Sequence, residues 1–212
     1  MDSSARADAG AGVGSCHTLW RCSIPTAITS KRSATKAEVR CLRTLGAEEI
    51  PGLSDVLIDC VDGRASVSFL WPMTRTKADE FWSGVAQSMA RGERLLFVAV
   101  EPDGCIVGTV QVVWAQPENQ PHRADVAKML VHRRARRTGV GAALLAAAEG
   151  GALEHGRTLL VLDTVTGGDG DRLYARSGWQ RCGEIPNYAL WPDGTPCATT
   201  IFFKSLVKPL RP

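Results

Sequence analysis

The sequence predicts a mixed α and β (α+β) domain, in which helices interrupt a central, mainly antiparallel sheet. Three observations carry that expectation. Apolar residues switch repeatedly along the chain between the period of two that marks strands and the longer period that marks helices. A Pro102-Asp103-Gly104 turn separates two apolar runs, which is the mark of a hairpin and so of antiparallel pairing. With 44% hydrophobic and 22% charged residues and no internal repeat, the 212-residue chain has the composition of one globular domain.

Val39 to Leu45 alternates as a strand, and Ile50, Leu53, Val56, Leu57 and Cys60 then recur on one helical face. Arg64 to Thr74 reads as a loop with an apolar middle, Phe69 to Pro72. A second helix follows, since Ala78, Phe81, Trp82, Val85 and Met89 share a face; Thr76 and Asp79 stand at capping-box spacing, and Gly92 is expected to stop it. Strands are expected at Leu95 to Val100, Cys105 to Ala115 and Ala124 to His132. A helix from Val140 to about His155 comes next, then a buried strand Leu159 to Val165 and a short helix near Asp171 to Arg176. Two last strands lie near Trp179 to Ile185 and Ala198 to Leu206.

These elements place the domain at residues 38–212. Residues 1–37 are rich in Ala, Gly, Ser, Thr and Arg, show neither period, and read as a disordered extension. They hold no apolar core for a secretory signal, and Asp2 and Asp8 argue against a transit peptide; an over-long gene start would explain them as well.

Residues 1–45 carry seven Lys/Arg against three Asp/Glu, whereas the remainder carries 18 against 19. A domain so nearly neutral lacks the electrostatic footprint of nucleic-acid binding. No apolar run approaches the roughly 18 residues of a membrane span. The seven cysteines form an odd set without a CxxC pair or a histidine at zinc-ligand spacing, so no metal site is expected. They read as reduced thiols of a cytoplasmic protein, mostly filling the core.

The most informative stretch runs from Lys128 through Met129, Leu130, Val131, His132 and Arg133 to Gly141, where a strand enters a basic turn and then a helix. Gly139 and Gly141 let backbone approach a ligand, and the free amides of the helix that follows suit a pyrophosphate; Arg133, Arg134, Arg136 and Arg137 add positive charge. No Gly-Lys-Ser/Thr follows, as a P-loop needs, and Leu144 stands where a dinucleotide fingerprint needs its third glycine. What remains is R-x-x-G-x-G, Arg136 to Gly141, with Leu173-Tyr174-x-x-x-Gly178-Trp179 downstream. In these residues the chain resembles the GNAT acetyltransferases. The runs Ala124 to Val126, Leu159 to Thr164, Gly183 to Pro186, Pro192 to Gly194 and Phe203 to Leu206 look like the tabtoxin-resistance branch of that family, from which the phosphate turn departs at Arg137-Thr138.

The resemblance implies the GNAT acyl-CoA N-acyltransferase fold and acetyl-CoA as acyl donor, held by Met129, Leu130, Val131, Arg136, Arg137, Thr138, Gly139, Val140 and Gly141. Acetyl transfer to an amine needs a proton acceptor, a donor to the thioester oxyanion and an acid for the departing thiolate. Asp125 and Asp163 occupy matching places in two strands that the fold makes neighbours, and the resemblance implies that they act as bases. Tyr174 matches the family's general acid, and a backbone amide near Leu130 its oxyanion donor. His122 and His132 are alternative bases, although His132 is expected to face solvent among arginines. Trp71, Tyr188 and Trp191 are expected in loops that roof the acceptor cleft, with Trp71 and Tyr188 touching substrate. The expected activity is N-acetylation of a small-molecule amine, such as an amino-acid-like antibiotic or toxin, by a monomer or homodimer. Alternatives are acetylation of an aminosugar, of a protein N-terminus or lysine, or acyl-CoA binding without catalysis.

Overall fold

The computed structural model describes residues 37–207, so the expectation for the N-terminal extension falls outside the described residues apart from Ala37. The order is β1 (Glu38–Leu42), α1 (Ile50–Asp62), α2 (Arg75–Ala90), β2 (Arg94–Val100), β3 (Ile106–Trp114), β4 (Arg123–Val131), a single 3-10 turn (Arg133–Ala135), α3 (Val140–Glu154), β5 (Leu159–Val165), α4 (Asp169–Arg176), β6 (Gln180–Leu190) and β7 (Pro196–Ser205). The strands form one seven-stranded sheet in the order β1-β2-β3-β4-β5-β7-β6. Every pair is antiparallel except β4 with β5.

Strand alternation gives the sheet two apolar faces, each covered by helices. On one, Leu96, Val98 and Leu130 meet Leu53, Val56, Leu57 and Trp82 of α1 and α2. On the other, Phe97, Val110, Val112, Ala124, Val126 and Leu160 meet Leu144, Leu145, Ala148 and Ala152 of α3. That second layer is held close by glycines. A Cβ at Gly108 on β3 would lie 2.9 Å from Leu144 and 3.1 Å from the Leu130 carbonyl oxygen. Gly108→Val is therefore expected to destabilise the fold by about 1–3 kcal/mol, the usual cost of overpacking, read as a lower urea midpoint.

Three local expectations need correction. Thr74, not Thr76, caps α2, its hydroxyl accepting from the Lys77 amide at 3.2 Å; Asp79 instead accepts from Ser54 at 2.5 Å, which ties α2 to α1. Of the five described cysteines, all free thiols, only Cys60 and Cys197 are buried, so core filling accounts for a minority. Tyr188 lies on a strand and not in a loop, because β6 continues past Ile185 through an irregularity in its pairing with β7, and Asn187 takes φ 53 there. Among the described residues no helix is long and apolar enough to cross a membrane, and no cluster of ligands suits a metal ion.

Candidate active site

Strands β4 and β5 pair over only three positions, Arg123 with Leu159, Ala124 with Leu160 and Asp125 with Val161. Beyond them both strands continue unpaired with each other, leaving amide and carbonyl groups at an open edge. A cleft of about 480 Å³ occupies this part of the sheet, lined on one side by Val126 to Met129 and on the other by Asp163 to Val165. Ser66 to Leu70 form a further wall, and Tyr188 to Leu190 of β6 another.

The wall at Ser66 to Leu70 is bound to the β6–β7 hairpin. Ser66 donates to the Leu190 carbonyl at 2.7 Å, the Trp71 amide to the Pro192 carbonyl at 2.9 Å, and Arg64 pairs with Asp193. Trp71, expected to touch substrate, is instead engaged outside the cleft lining: its indole donates to the Val61 carbonyl at 3.0 Å and its ring lies under Arg64. Tyr188 does line the cleft, and Trp191 closes the hairpin turn by bonding Thr195.

At one end of the parted strands lies the basic turn. Arg137 (φ 64) and Gly139 (φ 92) both take left-handed conformations, and Gly139 precedes α3 without any side chain capping its first turn. First-turn amides of a helix have no acceptor of their own, so they are available to a phosphate. Gly141 sits where a Cβ would lie 3.3 Å from Leu173 of α4, which brings this turn close to the helix carrying Tyr174. The four arginines divide. Arg133 pairs with Asp59 and Arg134 with Glu101, Arg136 donates to the Val131 carbonyl at 3.2 Å, and Arg137 stays 84% exposed with Asp169 at 3.6 Å. Arg137 is thus the one most open to a ligand. His132 is half-buried, contrary to the expectation that it faces solvent: its Nδ1 accepts from the Arg134 amide, and burial pushes its pKa down.

Tyr174 is buried but lines the cleft, packed on Trp179 and Phe202 with ring centroids 5.8 and 5.9 Å away. Its helix is anchored by Asp171, which accepts from the Gly167 amide at 2.7 Å and from Arg181 at 2.8 Å. Among the described residues no hydrogen bond is made by the Tyr174 hydroxyl. Burial, and then the Asp163 charge, push this phenol above its ordinary pKa, so it is a proton donor at any working pH. Asp163 is exposed to the cleft. Asp125 lies on the neighbouring strand with its carboxylate on Arg123 at 2.8 Å and is not part of the cleft lining. Burial pushes its carboxyl up, Arg123 pulls it down, and the Asp163 charge raises it again.

One residue of the site escaped the sequence reading. Lys128 lies at a bulge, because two residues of β4 stand opposite Val110 of β3, and its φ of 49 marks the irregularity. Its ammonium enters the cleft lining, donating to Ser68 at 3.0 Å. A lone lysine inside the apolar run Ala124 to Val131 was the available signal.

The family model for the GNAT acetyltransferases matches residues 63–179. Solved structures share the fold at low identity. An N-acetyltransferase from Staphylococcus aureus Mu50 is 16% identical with a TM-score of 0.68, covering 82% of this chain and 100% of that one. A ribosomal-protein-alanine N-acetyltransferase from Brucella melitensis is 20% identical at 0.66, covering 79% and 99%. A phosphinothricin acetyltransferase from Sinorhizobium meliloti, solved in complex with AcCoA, is 14% identical at 0.66, covering 80% and 88%. The matched segment spans more than half the chain and contains the parted strands, the phosphate turn and Tyr174 together, so this chain belongs to the GNAT family of acetyltransferases.

Proposed function

We propose that this protein transfers the acetyl group of acetyl-CoA to the amino group of a small molecule. The observation that carries this reading is the cleft between β4 and β5, with an uncapped helix N-terminus at the phosphate turn and with Asp163 and Tyr174 in its lining. The residues fit the donor. The amides at Gly139 to Gly141 and the Arg137 guanidinium would hold the pyrophosphate, and the open edge of Met129 to Val131 would pair with an extended amide-bearing chain.

Within the cleft Asp163 attracts the acceptor ammonium and receives its proton, directly or through water. The neutral amine attacks the thioester carbonyl, whose oxygen is met by a β4 amide near Leu130. Tyr174 then gives its proton to the departing thiolate. Asp125, held by Arg123, adds negative charge behind Asp163. The likeness to the tabtoxin resistance protein supports an antibiotic or toxin as acceptor, and the free thiols among the described residues fit a reducing cytoplasm.

Asp163→Asn tests the assignment. The amine's KM is expected to rise and kcat to fall by about 10²-fold, with partial recovery at high pH, where the amine is already neutral. Release of free CoA measured across pH reads this, and wild-type kinetics throughout would reduce Asp163 to a structural residue.

A further inference from the structure

We infer that the acceptor is an amino-acid-like zwitterion, whose ammonium faces Asp163 while its carboxylate is held by Lys128 together with Ser68. This rests on the acetyltransferase reading above and adds the substrate class. Among the residues lining the cleft, Lys128 and Asp163 are the charged ones, and no ion pair joins them among the described residues. A cleft that presents one cation and one anion, apart, matches a ligand carrying both charges at a short separation.

Lys128 is built for this place and not left over from the surface. Its ammonium sits 6.0 Å from the Phe69 ring centroid and 5.8 Å from that of Phe81, both of which favour a cation. Of its three donors one is used on Ser68, leaving two for a ligand oxygen. Ser68 itself takes φ 76, and Lys128 φ 49, so both partners occupy backbone conformations that L residues seldom adopt. Burial pushes the Lys128 pKa down and Arg94 adds to this, whereas Asp163 pulls it up. An anion brought into the cleft would favour the charged form further.

Other acceptors leave this arrangement unused. A simple monoamine displaces water from Lys128 and gives it no partner, which is costly for a charge. An aminosugar brings further positive charge beside it. A peptide N-terminus presents an amide where the carboxylate would lie.

The test compares the twenty standard L-amino acids with their methyl esters, by kcat/KM for CoA release, in wild type and Lys128→Met. Esterification also weakens the amine as a base, so the acid-to-ester ratio of the variant divided by that of wild type is what reads the contact between the carboxylate and Lys128. In Lys128→Met the ratio is expected to fall about 10- to 100-fold, the range for a hydrogen-bonded charge pair, and Lys128→Arg is expected to retain most of it. Acetyl-CoA affinity by calorimetry checks that the site is intact, and Lys128→Gln serves if Met disturbs the bulge. An unchanged ratio at retained acetyl-CoA affinity overturns the inference, as does a preference for peptides beginning with Asp or Glu over free amino acids. Tight acetyl-CoA binding with no CoA release from any acid, ester, peptide or aminosugar would instead remove the acetyltransferase reading itself.

Discussion

Tyr174→Phe is expected to lower kcat by about 10²- to 10⁴-fold, the span typical of a lost general acid, while acetyl-CoA affinity stays nearly unchanged. The substitution removes one oxygen and keeps the ring, so the packing on Trp179 and Phe202 persists and the fold is not at stake. What disappears is the buried hydroxyl lining the cleft. Because burial and Asp163 raise its pKa, the phenol stays protonated through and beyond pH 10, where free tyrosine ionises. The wild-type rate profile should consequently show no loss from Tyr174 ionisation below about pH 10. Single-turnover measurements, with enzyme in excess over acetyl-CoA, isolate the chemical step. A Phe variant with wild-type kcat would show that the thiolate leaves without Tyr174, and the acid would have to be sought elsewhere in the cleft.

What the sequence made legible follows from how local each signal was. The strand Leu159 to Val165 and the helix beginning at Val140 lie where periodicity and glycines put them, because their burial pattern is written in consecutive residues. The sequence ends β6 near Ile185 and puts Tyr188 in a loop, whereas pairing with β7 carries the backbone through Pro186 and Asn187 to Leu190. The cap of α2 lies two residues before Thr76, because Thr74 and Thr76 both offer a hydroxyl and only the backbone, extended at Thr74, selects between them. The site divides the same way. Gly139, Gly141 and Tyr174 belong to short motifs. Lys128 depends on a bulge in the pairing of β4 with β3, which local spacing does not write, whereas Arg123 and Asp125, two apart on one strand, share a face and pair there. Arginines 133 and 134 read as positive charge beside the phosphate, yet Asp59 on α1 and Glu101 after β2, both distant in sequence, pair with them.

Gly141→Asp should reduce acetyl-CoA affinity by at least about 10²-fold, with the fold retained. Two effects act together. A Cβ at this position would meet Leu173 at 3.3 Å, so the neighbour must give by a few tenths of an ångström. The carboxylate would then stand in the first turn of α3, where the uncapped amides offer their partial positive charge. There it would compete for those amides and repel the pyrophosphate. Gly141→Ala separates the two contributions, as it adds the Cβ without the charge. It is expected to weaken binding far less, and part of the loss in the Asp variant should be recovered in high salt, which screens the repulsion. Calorimetric titration with acetyl-CoA reads both variants, and circular dichroism checks that α3 is intact. If Asp and Ala weaken binding equally, the turn is merely a tight packing point against α4. Unchanged affinity in the Asp variant would remove the phosphate from this helix altogether.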